Sequence, residues 1–323
     1  MQPAPSAVPS SSSARLGSLD ACRALAVIGM LFANMLNVFL RHVPHALWHN
    51  EGDRLHVFDF PAPIFQFLIG VSLVLFLERR GSRGLTPAGA RWTAVRRFAL
   101  LVVLGIALDG IGALRWRPRW GVLQTLGLGG AMATGLASFS DAGVAAVALI
   151  LLALFSGTLN GDVHHHPIAA LAFVPLTLAG LIVGRGLRRE PPATDFVQRS
   201  LAIGLVGLFV AAGLRGAGIP FNKVLGTSSF VALASAISAL LLLGTSILER
   251  SGLRWPPALL TLGSNALMAW VLQYVLVYYP AWLIFPSWRR LTLYPGMAAT
   301  VGALVALSGL TVALARRGVR IPI

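Results

Sequence analysis

Residues 41–70 gather the groups in this chain that could do chemistry. Four of the seven histidines (His42, His45, His49 and His56) fall there, with three of the eleven acidic residues, Glu51, Asp53 and Asp59. A neutral imidazole, with a pKa of about 6.5, takes and returns protons near neutrality and can also attack as a nucleophile. A carboxylate on the second ring nitrogen would fix the tautomer, and Asp59 is a candidate for that partner. The same residue types also suit a solvated loop, so composition leaves both readings open.

The rest of the chain is what must position these groups, and it is mostly hydrocarbon. Of 323 residues, 56% are hydrophobic and 11% charged, with a mean hydropathy of +0.76. Soluble domains carry roughly a quarter charged residues, so the composition predicts an integral membrane protein. Ten apolar stretches of about the spanning length predict an all-α bundle of about ten transmembrane helices. They are Ala21–Leu40, Pro61–Leu77, Val95–Ile111, Gly121–Phe139, Ala142–Thr158, Pro167–Gly184, Ser200–Leu214, Ser228–Leu248, Ala258–Tyr279 and Tyr294–Ala315. Met1 to Ala14 is rich in Ser, Pro and Ala and reads as a disordered segment without a cleavable signal; residues 15–323 read as one transmembrane domain. Cys22, the lone cysteine, excludes an internal disulfide.

The net charge of +15 would suggest nucleic acid in a soluble protein. Here the basic residues sit in short loops, so the positive-inside rule explains them and no nucleic-acid partner is expected. The larger share, including Arg79, Arg80, Arg83, Arg91, Arg96, Arg97, Arg185, Arg188, Arg189, Arg250, Arg254, Arg316 and Arg317, falls on one side of the ten-span topology. That bias predicts both termini in the cytoplasm and the His45 loop outside; the cell's inner membrane is the expected location. The cluster Arg115-Trp116-Arg117-Pro118-Arg119 breaks the rule and reads as an anion contact.

The first span carries Asp20, Arg23, Asn34 and Asn37 on one stripe. At 100° per residue, Asn34 falls about 20° from Arg23, Asn37 about 40° to the other side and Asp20 about 60° away. Arg23 to Asn37 covers about 21 Å of helix. Polar groups inside spans face the bundle or a wet cavity, and the stripe predicts the lining of a passage; interhelical hydrogen bonding is the plainer alternative. Asp59, Gln124, Asn222 and Lys223, the only lysine, recur at span ends on the His45 side. Asn265 and Gln273 lie within the ninth span, in reach of the same cavity.

Several of these motifs resemble the heparan-alpha-glucosaminide N-acetyltransferase family and its bacterial relatives. They are Arg15-Leu16-Gly17-Ser18-Leu19-Asp20-Ala21-Cys22-Arg23, His45-Ala46-Leu47-Trp48, Asp59 with Pro63 and Gly70, and Gly121-Val122-Leu123-Gln124. Pro220-Phe221-Asn222-Lys223 with Thr227-Ser228-Ser229-Phe230, and Gly263-Ser264-Asn265-Ala266-Leu267, follow in the family's order. The resemblance implies a membrane acyltransferase that takes acetyl from cytosolic acetyl-CoA and passes it across the membrane to an acceptor amine, at a histidine in the first outer loop. By motif that residue is His45; His49 has the family's ten-residue spacing to Asp59, so both stay open. Ala24, Thr125 and Gly226 depart from the family pattern, where glycine, arginine and tryptophan are usual, and suggest a different acceptor or an altered grip on the donor.

Transfer from a thioester to an amine needs a base, donors for the tetrahedral oxyanion, and a dry site. His45 with Asp59 would supply the first, or His45 would carry the acyl group itself. Asn222, Lys223 and Gln124 could donate to the oxyanion, or merely anchor loops and cap helices. Asp20, Arg23, Asn34, Trp48 and Asn265 complete the expected binding set, and Arg79, Arg80, Arg96 and Arg97 could hold the donor's phosphates. No metal is expected: His164-His165-His166 cannot all face one ion and reads as a solvated loop. The expected partners are the bilayer, acyl-CoA, a glycan or amine acceptor and, as an open expectation, a second copy in a homodimer. A multi-pass transporter is the rival class, although no pair of broken spans marks two related halves. An O-acyltransferase of envelope sugars would use the same histidine chemistry.

Overall fold

In the computed structural model, residues 16–48, 53–112, 120–156, 167–187, 193–319 and 321 are described. Met1–Ala14, His49, the Arg115–Arg119 cluster, Arg188, Arg189 and the histidine run 164–166 lie outside these residues. The described residues form α-helices without a strand; only an isolated parallel bridge joins Leu40 to Leu291.

The helices are α1 (Gly17–Phe39), α2 (Pro61–Gly81), α3 (Pro87–Gly112), α4 (Val122–Gly135), α5 (Asp141–Leu154), α6 (Val174–Arg185), α7 (Ala193–Gly216), α8 (Ser228–Arg250), α9 (Pro257–Ser264), α10 (Ala266–Gln273) and α11 (Leu293–Arg316). Among the described residues, six segments are long and apolar enough to cross a membrane: Gly17–Phe39, Val57–Gly81, Thr194–Gly216, Ser228–Arg250, Ala266–Ile284 and Leu293–Arg316. The third to sixth expected spans fall short of that standard for two physical reasons. α3 carries Arg91, Arg96, Arg97 and Asp109 along its length, and α4, α5 and α6 have 14, 14 and 12 residues.

Two boundaries differ from expectation. The seventh segment begins at Ala193, one and a half to two turns before the expected Ser200, because the polar sequence preceding Ser200 is helical as well. The ninth is not one helix. Asn265, at φ −124° and ψ 29°, ends α9 and opens α10, and α10 then loosens into π-helical turns over Tyr274–Tyr278 and Pro280–Ile284. Wide turns of this kind are rare in helices and concentrate at functional sites.

α1 is the hub, packed against α2, α8, α9, α10 and α11. Small residues permit this. A side chain on Gly263 would collide with the Asp20 carbonyl, so glycine there lets α9 lie directly on α1. α2 and α6 interlock in the same way: a Cβ on Gly70 would strike the Thr177 carbonyl, and one on Gly180 the Phe67 carbonyl. In a bilayer, where lipid is as apolar as leucine, such close backbone approach is what holds helices together.

Successive long helices alternate in direction, giving the bundle two ends. One carries Arg79, Arg80, Arg83, Arg185, Arg250, Arg316 and Arg317 at helix termini. There Glu249 of α8 caps α1 by accepting the Ser18 N–H at 2.7 Å, and Asp141 holds both Arg185 and Arg199. The other end carries the residue 41–60 loop and the α7–α8 loop. Asp53 ties these together, pairing with Arg215 and accepting the Phe221 N–H at 2.9 Å.

Candidate functional site

A cavity of about 310 Å³ lies between α1, α2, α3, α4, α9 and α10. On α2 its lining extends from Phe65 to Phe76, which is about 16 Å along the helix axis. Toward the arginine-rich end lie Arg23, Ser72, Phe76 and Arg97; toward the other lie Met30, Val122 and Trp270. A second cavity of about 50 Å³ shares Val122 and Leu126 with the first and is lined further by Pro63, Gln66, Thr125 and Lys223. The two together trace a line from guanidinium groups at one end to the chain's single lysine near the other.

The polar stripe of α1 divides along that line. Arg23 donates to Asp20 Oδ1 at 2.7 Å and to the Ser72 hydroxyl, so its charge is balanced while its side chain lines the cavity with Val27 and Met30. Asn34, one turn beyond Met30, donates to Gln273 Oε1 at 3.1 Å instead. Asn37 is exposed. Of the four arginines expected at the inner mouth, Arg97 lines the cavity and stacks over Phe76 at 4.8 Å, with Arg80 over the same ring at 5.2 Å. Arg79 and Arg96 point outward and are exposed.

At the far end, His45 is exposed in a short 3-10 turn, His45–Leu47, with Trp48 next to it. Its ring lies 5.2 Å from that of His56. Asp59 is completely buried, and its Oδ2 accepts the backbone N–H of His56 at 2.9 Å. The carboxylate therefore braces the residue on which the His45 ring leans. Phe58, between them, stacks on Phe32 of α1 at 5.2 Å and fixes the loop to the hub helix.

Lys223 reaches this loop from the α7–α8 connection, its Nζ 3.4 Å from the Phe58 carbonyl. The residue is half-buried as a whole, but its ammonium end is enclosed by protein. Burial pushes its pKa down to about 8, against the pull of the nearby Asp59. Asn222 beside it is spent on the loop, its Oδ1 accepting the Leu225 N–H at 2.9 Å and its own N–H bonding Thr227 Oγ1. Asn265 serves the helix break, donating to the Thr261 carbonyl at 2.8 Å, while its neighbours Ser264 and Ala266 line the large cavity.

Gln124 is fully buried and donates to Asp109 Oδ2 at 2.9 Å; Tyr274, in the widened part of the ninth segment, donates to Asp109 Oδ1 at 2.8 Å. Tyr279 adds a bond to the Leu108 carbonyl. This cluster pins α3, α4 and the end of α10 together just beyond the large cavity. None of the sequence motifs singles out Asp109. The signal available was a carboxylate deep in an apolar run, which hydrocarbon does not tolerate without partners.

Fold and site together define a helical membrane protein with a cavity in its bundle, charged at one end and carrying ionisable groups under a surface loop at the other. Residues 15–179, just over half of the chain, match the family described as heparan-alpha-glucosaminide N-acetyltransferase, catalytic. The chain belongs to this family and is a membrane protein of the N-acetyltransferase type. No curated protein shows a significant match to it. The matched stretch covers α1 to the first half of α6, with His45, Asp59 and Gln124, while Asn222, Lys223 and Asn265 lie beyond it.

Proposed function

We propose that the protein moves an acetyl or other short acyl group from cytosolic acyl-CoA to an amine on a glycan or small molecule at the opposite membrane face, with the ten helical segments spanning the bilayer and both termini in the cytoplasm of a cell whose inner membrane holds it. The observation that carries this reading is the pair of adjoining cavities between Arg97 and Lys223. A nucleotide with phosphates at Arg23, Arg80 and Arg97 would send its thioester arm toward the His45 end, and guanidinium forks suit phosphate better than a point charge does.

His45 then takes the amine proton, or attacks the thioester and carries the acyl group in a ping-pong cycle. The thioester carbon gains the amine nitrogen, the C–S bond breaks, and the thiolate recovers the proton that the amine gave up. Lys223, enclosed and cationic below about pH 8, stabilises the oxyanion of the intermediate in this scheme. Asn222, with its side-chain oxygen committed to the loop, serves the site by holding Lys223 in place. Acetyl-CoA is the donor, no metal takes part in the scheme, and a homodimer would leave each bundle with its own passage.

The test is thiol release from acetyl-CoA by purified protein in detergent, with and without glucosamine. Amine-dependent release supports the proposal; no release with any amine tried, from folded protein, overturns it and favours a transporter. Release dependent on a sugar hydroxyl instead would make the protein an O-acyltransferase.

A further inference from the structure

The small cavity has a second polar wall besides Lys223. Gln66 of α2 is 2% exposed and lines it. Its Nε2 donates to Thr177 Oγ1 of α6 at 2.6 Å and toward the Thr125 carbonyl of α4 at 3.4 Å. A carbonyl can only accept, so this arrangement fixes which end of the amide is nitrogen. The Oε1 end is buried and accepts no hydrogen bond. Gly129 of α4 leaves the room for this, since a Cβ there would collide with Nε2 and crowd Thr177 Oγ1. Three helices thus hold one amide in place and leave its oxygen unanswered, on a side chain that lines a cavity adjoining the large one at Val122 and Leu126.

A buried acceptor without a donor costs free energy, and native proteins keep few of them unless a ligand or water completes the bond. We infer that Gln66 Oε1 is a substrate-binding acceptor for an N–H group, and that Lys223 is the complementary donor to the carbonyl oxygen lying a few atoms away on the same bound molecule. This names a contact within the acyl-transfer site and rests on that reading for the ligand's identity. Two substrate groups present such an N–H: the amide of the donor's thioester arm and the amine of the acceptor. A water donating to Oε1 is the competing occupant, because about 50 Å³ accommodates one.

Calorimetric affinities for CoA and for glucosamine, measured separately on the purified full-length chain, decide the matter. In Gln66→Met, one of the two affinities should fall at least tenfold with the melting temperature little changed. A fall for CoA assigns the N–H to the donor arm, and a fall for glucosamine assigns it to the acceptor. Affinities equal to wild type for both ligands mean water alone fills the site and overturn the inference, as does wild-type protein that binds neither. If Gln66→Met does not fold, Thr177→Val carries the test: it keeps Gln66 but frees the amide, and should weaken the same ligand several-fold, whereas unchanged binding overturns the inference. Thiol release on the same preparation separates the two claims. Binding that depends on Gln66 without any release would sink the acyl-transfer reading and leave the Gln66 contact standing.

Discussion

Asp141 and Asp59 are both aspartates at the N-terminal edge of a helix, at opposite ends of the bundle, and they are partnered in opposite ways. Asp141 opens α5, is 39% exposed, and lies between Arg185 and Arg199; Arg199 is shared further with Asp195 at 2.8 Å. Asp59 lies two residues before α2, is completely buried, and faces a lysine. Arginine stays charged at any working pH and fits a carboxylate as a fork, so the first arrangement clamps α5, α6 and α7 and has nothing left to titrate. Lysine in an enclosed place changes charge within reach of neutrality. One end of the molecule is built to hold and the other to respond.

The sharpest way to break that contrast is at the responding end. His45→Ala should reduce acyl transfer by on the order of a hundredfold to ten-thousandfold while the protein elutes as a single species. Loss in His49→Ala with full activity in His45→Ala would move the site to the neighbouring histidine, and indifference to both changes would remove histidine chemistry from the protein.

Lys223 comes next. Its replacement by methionine should lower transfer roughly tenfold to a thousandfold if it stabilises an oxyanion. It should also alter the pH dependence of stability in a direction that can be worked out. The native state releases this proton at about pH 8, while the unfolded chain holds it to about 10.5. Between those values the unfolded state binds more protons, so stability contributed by this group rises with pH across that window and is flat below it. Melting curves from pH 7 to 10.5 should show this rise in wild type and lose it in Lys223→Met. A rise of equal size in the variant would mean that the lysine is not enclosed as described.

Arg23→Ala should raise the acetyl-CoA requirement several-fold with little change in the maximal rate, since a phosphate contact remote from the reacting carbon binds ground state and transition state alike. Unchanged donor dependence in folded protein would mean that Arg23 serves only its bonds to Asp20 and Ser72.

How much of this was legible beforehand follows from which physical signals are local. Six of the ten expected spans, those that are long and apolar enough to cross a membrane among the described residues, could be read from apolar length, because backbone groups in hydrocarbon must satisfy one another within a helix. The break at Asn265 is harder to read: Gly263 and Ser264 before it are a weak local signal inside a long apolar run, and the interruption is fixed by one amide bonding back to Thr261. The Arg23 end of the α1 stripe was visible by periodicity and lines the cavity. Asn37 shares that face by angle but is exposed, because a helical wheel does not say where neighbouring helices stop. Gln66 was invisible for another reason. A glutamine in an apolar span usually serves as interhelical glue, and only the placement of Thr177, Thr125 and Gly129 around it leaves the oxygen unanswered.

The smallest expected effect lies at the holding end and completes the comparison. Asp141→Asn keeps the shape of the side chain and removes the charge that Arg185 and Arg199 share. Each arginine retains another acceptor, Arg185 the Ala137 carbonyl at 3.1 Å and Arg199 the Asp195 carboxylate, so neither is left stranded. With the aspartate partly exposed and its charge screened by solvent, the cost should be on the order of 1 kcal/mol, seen as a modest fall in melting temperature that shrinks in high salt. Acyl transfer per folded molecule should not change. A tenfold loss of activity in this variant, at a temperature where the protein is fully folded, would show that the arginine-rich end acts on the chemistry, and the division of labour between the two aspartates would fail.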